Sequence, residues 1–209
     1  MRIKIDPVAR EVAFKKSVLP EYLHVPIAAV DESSICKYIG SIVGVISFNT
    51  VRRALVVRIP PPPKRDQRLP IWKLAESAVL YQTTQLWVHV NYTGYRKAYK
   101  RAFPKEDTTR KVINHILNRR IARIKGYDYV RVSAVTRGVN SSSGYSENWG
   151  VNIKLKPDMT KENIRGGAYI KYADLSELMA MMNIKLGGGV MNVVNEGQYL
   201  VDLRYKPWT

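Results

Sequence analysis

Positive charge is concentrated in one short part of this sequence, and that limits where the part can lie in any fold. Residues 95–126 contain eleven lysine and arginine residues but only two acidic ones, so they carry +9 of the net charge of +17 of the 209-residue chain. Charged side chains are almost never fully buried unless they are paired. The segment is therefore expected to form surface elements whose cations face solvent or a negatively charged partner.

The charge excess also indicates the class of partner. An excess this large opposes compaction by self-repulsion unless a polyanion offsets it, so the expected partner is nucleic acid or an anionic membrane. The longest apolar run, residues 38–48, is far shorter than the roughly 20 residues of a spanning helix. The first ten residues lack the apolar region of a secretory signal. We expect a protein with no membrane span that is not secreted and lies in the cytoplasm, an organelle matrix or a virion.

Two amphipathic helices are predicted in and around the basic segment. In residues 90–103, four aromatic side chains recur every three or four positions, which places them on one stripe of a helix with cations on either side. The stripe either packs into a core or presents rings that stack on bases while the cations neutralise phosphates. A second helix is predicted over residues 108–125, capped by Asp107 or Thr108 and ended by Gly126.

We predict that the cations of these two helices contact phosphates and that nearby rings stack on unpaired bases. The expected phosphate contacts are Arg96, Lys97, Lys100, Arg101, Arg110, Lys111, Arg119, Arg120 and Arg123. The expected stacking residues are Tyr95, Tyr99, Tyr145 and Trp149. The last two belong to a polar stretch that follows residue 135, and the alternative is a polar loop with Trp149 buried in the next strand. Dense base-reading motifs are lacking, which favours RNA held by shape and backbone over sequence-specific DNA binding.

The rest of the chain alternates β-rich runs with amphipathic helices, which predicts an α+β fold. We expect a single mixed, mainly antiparallel sheet packed with three to five amphipathic helices. Strands are predicted at residues 1–5, after residue 40, and at 54–59, 86–92, 129–135 and 149–155, and a hairpin at 187–205. Further helices are predicted up to about residue 40 with Asp31 or Ser33 as cap, at 70–81, and at 173–183 with a capping box.

Residues 1–209 are interpreted as one domain. The proline-rich loop at residues 60–68 is the only candidate internal boundary, because its four consecutive prolines lack the backbone donors that a sheet needs. An exposed connection within one domain is favoured over a spacer between two domains.

Signals of metal or cofactor binding are lacking. The three histidines, His24, His89 and His115, have no partner at the spacing of a metal site, and neither a cofactor nor a metal is predicted. The single cysteine, Cys36, is expected to be a small buried apolar residue. His115 lies on the predicted basic helix, where neighbouring cations should oppose its protonation.

No motif assigns the chain to a family, although its composition is similar to that of small basic proteins of ribonucleoprotein particles, viral coat and matrix proteins, and CRISPR RNA-processing nucleases. The function expected from the sequence is that of a non-enzymatic RNA-binding structural component of a large nucleoprotein assembly, such as a ribosome-like particle or a virion coat or matrix. Its partners would be RNA and other proteins of the assembly or copies of itself. The alternative is a metal-independent RNA endonuclease that uses one of the histidines; a third possibility is a peripheral protein on acidic lipid.

Overall fold

The computed structural model describes residues 4–17, 19–20, 23–49, 51–61, 67–140, 159–185 and 190–206. The strands are β1 Pro26–Ala29, β2 Ser41–Asn49, β3 Arg52–Arg58, β4 Thr84–His89, β5 Lys111–His115, β6 Tyr129–Thr136 and β7 Ile170–Tyr172. The α-helices with defined bounds are α1 Pro7–Ser17, α2 Glu32–Tyr38, α3 Tyr95–Ala102, α4 Arg119–Lys125, α5 Lys161–Ile164, α6 Leu175–Met181 and α7 Val190–Val201, and residues 137–140 are also helical. Two 3₁₀ helices, Pro70–Lys73 and Ala75–Tyr81, lie between β3 and β4.

The strands form one curled antiparallel sheet in the order β2-β3-β4-β6-β1-β7, and β5 also pairs with β6. The predicted α+β class is therefore confirmed, with more helices than the three to five expected. Strand β6 is central: β4 pairs along its first half on one edge, while β1 and β5 pair with successive parts of it. Its side chains are buried from Tyr129 to Val135.

Helices pack on both faces of the sheet, and the buried apolar side chains form several separate clusters. One core joins the 3₁₀ helices to α4 and α6 through residues such as Trp72, Leu80, Ile121 and Met181. A second holds Trp87 beside α1 and α2, and a third packs α3 on β3, β4 and β6. Burial of these side chains stabilises the fold by roughly 1.5–3 kcal/mol for each large apolar residue.

Several local signals in the sequence are confirmed. Asp31 caps α2, where its side chain accepts a hydrogen bond from the Ser34 amide at 2.7 Å. Asp174 and Glu177 form the predicted capping box at the start of α6. Strands β2, β3, β4 and β6 lie where β-branched runs predicted them. These features depend on residues close in sequence, which is why pattern alone finds them.

The helix predicted over residues 108–125 is wrong in its first half. Residues Lys111–His115 form β5, which pairs with β6 from Lys111↔Thr136 to His115↔Val132, and only Arg119–Lys125 is helical. Asp107 accepts from the Thr109 amide in a turn and caps no helix. Pairing with a distant strand overrides the helical spacing of the isoleucines in this segment. His115 consequently lies at the end of a strand.

The hairpin predicted over residues 187–205 is also wrong, because Val190–Val201 forms helix α7. A hairpin over this range would place Gly197 in its turn. Gly197 instead lies where α7 approaches α6: a Cβ atom there would stand 3.3 Å from Leu175 Cβ and from Met179 Sδ. A glycine inside a helix can thus report close packing of helices as well as a turn.

Residues 70–81 form two 3₁₀ helices where one amphipathic α-helix was predicted. The inward positions recur every third residue: Ile71, Ser77 and Leu80 are buried and Leu74 is partly buried, whereas Ala78 is exposed. This period of three is that of a 3₁₀ helix and not the 3.6 of an α-helix.

Three smaller predictions differ from the structure or lie outside the described residues. The described part of the predicted first strand is not β-structure, and α1 follows it with Asp6 accepting from the amides of Val8 and Ala9. Cys36 is exposed and not buried as expected. The strand predicted at 149–155 and most of the proline-rich loop lie outside the described residues.

Candidate nucleic-acid interface

Helix α3 presents two different faces. Its aromatic stripe points inward: Tyr95 and Tyr99 are 8% and 1% exposed, and Phe103 is partly buried beside them. The Tyr99 hydroxyl donates to Glu106 at 2.8 Å, and burial raises the pKa of this phenol. The aromatic stripe of residues 90–103 therefore packs into the core, which was the first of the two interpretations of this segment. Burial leaves Tyr95 and Tyr99 no open ring face on which a base could stack.

The outer face of α3 is basic. Its four cations are all exposed, as the spacing of the buried residues requires. They are Arg96, Lys97, Lys100 and Arg101.

Helix α4 is held so that its arginines face outward. The Asn118 side chain caps the helix by accepting from the Arg120 amide at 2.8 Å. Gly126 ends it with φ +72°, a left-handed conformation that glycine adopts at little cost. Ile121 and Ala122 are buried in the core below. Arg119, Arg120 and Arg123 are left on the solvent side of the helix.

A cleft of about 280 Å³ opens where β5 ends and α4 begins, and we call it the β5–α4 cleft. Three arginines, two amides and one imidazole line it. These residues are Asn114, His115, Asn118, Arg119, Arg120 and Arg123. The cleft thus combines several hydrogen-bond donors with three positive charges, the composition of an anion-binding site.

Tyr95 connects α3 to this cleft. Its ring lies 4.3 Å from the His115 ring, centroid to centroid, in a T-shaped contact. The guanidinium carbons of Arg96 and Arg119 lie 5.0 and 5.8 Å from the Tyr95 ring centroid. Tyr95 therefore positions one arginine of α3 and one of α4 on the same side of the molecule by cation–π contact.

His115 is a buried imidazole next to several cations. It is 7% exposed, and its Nε2 atom is buried without a hydrogen-bond partner among the described residues. Burial, together with the smaller effect of the charges of Arg119, Arg96 and Arg123, lowers the pKa of His115 to about 3. The expectation that cations oppose its protonation agrees with this arrangement, although burial is the larger cause. At neutral pH the ring is uncharged.

This lowered pKa predicts how stability depends on pH. In the folded protein His115 does not take up the proton that it binds near pH 6.5 in the unfolded chain. The contribution of the neutral imidazole to the free energy of unfolding is therefore complete above pH 6.5 and is lost as pH falls towards 3. Between pH 7.5 and pH 5 the wild type should lose about 2 kcal/mol more than His115→Gln, which cannot titrate. Urea unfolding of both proteins at the two pH values measures this difference. The other titrating groups are shared, so an equal loss in both proteins would contradict the assignment.

Arg123 is partly engaged within the protein. Its Nη2 donates to the Val90 carbonyl at 2.8 Å and its Nε to Asn91 Oδ1 at 3.1 Å. These bonds fix the guanidinium at the edge of the cleft and leave its remaining N–H groups for a ligand. Arg123 therefore contributes positioned charge, whereas the guanidinium groups of Arg119 and Arg120 make no hydrogen bond to another residue in the described part of the chain.

The nine predicted cations form no ion pair with the acidic residues that the structure describes, although hydrogen bonds from Thr109 and, to a smaller extent, the charge of Lys111 lower the pKa of the Asp107 carboxyl. Ion pairs between described residues join Lys15 to Glu11, Arg53 to Glu32, Lys171 to Glu177 and Arg204 to Asp202. Within the described part of the chain, none of the nine cations pairs with a carboxylate. Eight of them are exposed and Arg119 is partly buried. Their charge is therefore available to a ligand.

The structure brings only some of the nine cations together. Arg96, Arg119, Arg120 and Arg123 lie around the β5–α4 cleft. Arg110 and Lys111 lie at the opposite end of β5, roughly 13 Å away along a five-residue strand. The other predicted stacking residues, Tyr145 and Trp149, lie outside the described residues.

Three lining residues of the cleft, Asn114, His115 and Asn118, were absent from the predicted contacts. Asn118 had a detectable signal, because an asparagine directly before an amphipathic run is a common helix cap. Asn114 and His115 had none, since their place depends on β5 pairing with β6. No group of three His, Cys, Asp or Glu side chains in the described ranges could hold a metal ion.

The comparisons with known proteins give no family assignment: no family model, curated protein or solved structure matches this chain. None of the helices described here is long and apolar enough to cross a membrane.

Proposed function

We propose that this chain binds RNA through its phosphate backbone, as a non-enzymatic structural component of a large nucleoprotein assembly. The observation that carries the proposal is the basic surface, the nine cations of α3, α4 and the residues at the start of β5, which form no ion pair with a carboxylate among the described residues. Unpaired surface cations in this number self-repel, and a polyanion that binds them offsets the cost.

RNA is preferred to DNA on chemical grounds. The cleft offers amide groups as well as guanidinium groups, and amides can donate to and accept from a 2′-hydroxyl. Base stacking by Tyr95 and Tyr99 is not part of the proposal because both rings are buried. Recognition would therefore depend on backbone and shape.

Assembly is supported by the edge of the sheet. Strand β2 lies at one edge of the sheet in the order of the described strands, and it carries no charged residue. Val43 and Val45 on β2 are 48% and 53% exposed. Long uncharged edge strands are the surfaces through which chains add to one another. Copies of this chain or other proteins of the assembly are the proposed partners, in an intracellular particle of the ribosomal or viral kind.

Removal of charges in and beside the cleft tests RNA binding. A triple variant, Arg96→Gln, Arg119→Gln and Arg120→Gln, should bind a fluorescent 20-nucleotide RNA at least about a hundredfold more weakly at 100 mM salt, because each lost phosphate contact costs close to a decade in affinity. Fluorescence anisotropy measures the affinity, and DNA of the same sequence tests the preference for RNA. The matched control removes three exposed cations elsewhere, Arg52→Gln, Lys73→Gln and Lys185→Gln.

Comparison of the two triple variants distinguishes RNA binding by the basic surface from attraction by the net charge of the protein. Equal weakening in the two triple variants would mean that net charge, and not the basic surface, attracts RNA. Failure of the wild type to bind RNA at low salt would overturn the proposal. Sizing of the purified protein before and after ribonuclease treatment then tests membership of an assembly.

The alternative function, metal-independent RNA cleavage, rests on the position of His115 among guanidinium groups that could stabilise a charged phosphorane. The lowered pKa of His115 disfavours it, since an imidazole with a pKa of about 3 is a weak base at neutral pH. RNA recovered from the binding experiment distinguishes the two functions. Intact RNA supports binding alone, whereas cutting by the wild type that is lost in His115→Ala, with binding retained, would establish the nuclease.

A further inference from the structure

The β5–α4 cleft differs from the rest of the basic surface because it has walls. The cations on the outer face of α3 project from a helix, whereas the cleft is a half-open depression bordered by the end of β5, the cap of α4 and the exposed side of α4. Its volume of about 280 Å³ is below the roughly 300–1,000 Å³ of pockets that enclose whole small ligands. A cleft of this size suits one group of a larger ligand.

The side chains of the cleft select a group with high negative charge. Arg120 is exposed, Arg119 is partly buried beside the Tyr95 ring, and Arg123 keeps for a ligand the N–H groups that do not bond to Val90 and Asn91. Guanidinium groups bind phosphate oxygens through paired hydrogen bonds. Asn114 and Asn118 line the same wall with amide groups. The cleft can thus serve several oxygen atoms of one anion at once.

His115 adds an independent observation. Its ring is more than nine-tenths buried, lines the cleft, and has an Nε2 atom without a hydrogen-bond partner among the described residues. Buried polar side chains are normally satisfied, and an exception calls for an explanation such as a ligand. The charged groups around it are Arg96 from α3 and Arg119 and Arg123 from α4, with the Tyr95 ring against it. An anion bound among these three cations would offset the repulsion between them. It would also offset the repulsion that they exert on a protonated His115 ring.

These features point to the end of an RNA strand as the ligand, more than to the middle of one. An internal phosphodiester carries one negative charge and two terminal oxygens, and the chain must leave the site on both sides. A terminal phosphomonoester carries nearly two charges at neutral pH and three terminal oxygens. Three guanidinium groups with no acidic partner among the described residues match the doubly charged group better.

We propose that the β5–α4 cleft binds the terminal phosphate of an RNA strand, held by Arg119 and Arg120 beside His115. The inference rests on the proposed function, since the cleft would anchor one end of the RNA that the basic surface binds. It adds a chemical specificity that backbone contact alone does not give: the protein should distinguish strands by whether an end is phosphorylated.

The test compares three RNAs of one sequence, with a 5′-phosphate, with a 3′-phosphate, and with hydroxyl groups at both ends. One phosphorylated RNA should bind the wild type at least about tenfold more tightly than the unphosphorylated RNA, which corresponds to a few charge-assisted hydrogen bonds. Arg120→Gln should remove this preference. The matched control, Lys97→Gln on the outer face of α3, should weaken all three RNAs by the same factor and keep the preference.

Free phosphate compounds identify the chemistry. A nucleoside monophosphate should shift the imidazole ¹⁵N resonances of His115 and should compete with the phosphorylated RNA more strongly than a nucleoside does. Such a shift without any end preference in RNA would assign the cleft to free nucleotides and overturn the RNA-end inference.

Failures of the two proposals are distinguishable. Equal binding of all three RNAs, or a preference that persists in Arg120→Gln, would overturn the terminal-phosphate inference and leave RNA binding intact. Absence of binding to every RNA at low salt would overturn the proposed function itself. His115→Gln, checked for folding by circular dichroism, provides a second variant that should also lose the preference.

Discussion

Raising the salt concentration from 50 to 200 mM should weaken RNA binding by about 10³–10⁵-fold, if six to ten phosphates are neutralised. The nine cations of the basic surface supply contacts in that range. Each phosphate contact releases bound counterions from the nucleic acid, so log Kd should rise linearly with log salt. Anisotropy titrations at five or more salt concentrations measure the slope.

Variants show how that slope is distributed over the surface. Each cation that contacts a phosphate should reduce the magnitude of the slope by about one when it is removed. The triple variant of Arg96, Arg119 and Arg120 should therefore lose about three, whereas the triple variant of Arg52, Lys73 and Lys185 should lose little. A wild-type slope equivalent to only one or two contacts would contradict backbone binding by the basic surface, even if some affinity for RNA were found.

Prediction from sequence succeeded where the determining residues are neighbours. The caps Asp31 and Asp174, the termination of α4 at Gly126, and strands such as β3 and β6 follow from interactions within a few positions. The inward stripe of α3 was also predictable, although the sequence left open whether its rings faced a core or a base. Burial decides that question, and burial is a property of the whole fold.

The failures share one physical cause, which is contact with residues distant in sequence. Residues 111–115 have the spacing of a helix, but pairing with β6 makes them a strand. Residues 190–201 have the β-branched content of a strand, but packing against α6 makes them a helix. The site followed the same rule: its arginines were visible as a basic face, while the place of Asn114 and His115 depends on the β5–β6 pairing.

Arg131→Ala should unfold far more easily than any variant of the basic surface, because this arginine is structural. It is 1% exposed at the centre of β6, and its Nη2 and Nη1 atoms donate to the carbonyls of Val79 and Leu80 at 2.5 and 3.2 Å. These carbonyls belong to the end of the second 3₁₀ helix, where helical partners run out. Burial lowers the pKa of the Arg131 guanidinium, so its charge is held at a cost that these bonds offset.

Truncation at Arg131 would remove the hydrogen bonds to one buried carbonyl, that of Leu80, and one partly buried carbonyl, that of Val79, and would leave a cavity beside them. Each unpaired group costs about 1–3 kcal/mol, and the relief of a buried charge offsets part of that, so we expect a net loss of about 3 kcal/mol. Thermal unfolding should then occur about 6–12 °C lower, at 2–4 °C per kcal/mol for a chain of this size. Arg120→Ala, an exposed arginine of the basic surface, should change stability by no more than about 0.5 kcal/mol.

Arg131→Met separates the two causes, because it fills most of the space but donates no hydrogen bond. If it is as unstable as Arg131→Ala, the unpaired carbonyls dominate; if it approaches wild type, the cavity does. Either variant, at temperatures where it is folded, should bind RNA as the wild type does, since Arg131 is buried away from solvent. Weakened RNA binding by a folded Arg131 variant would mean that the buried and exposed arginines form one functional network. Unchanged unfolding of Arg131→Ala would show that the bonds to Val79 and Leu80 contribute nothing measurable.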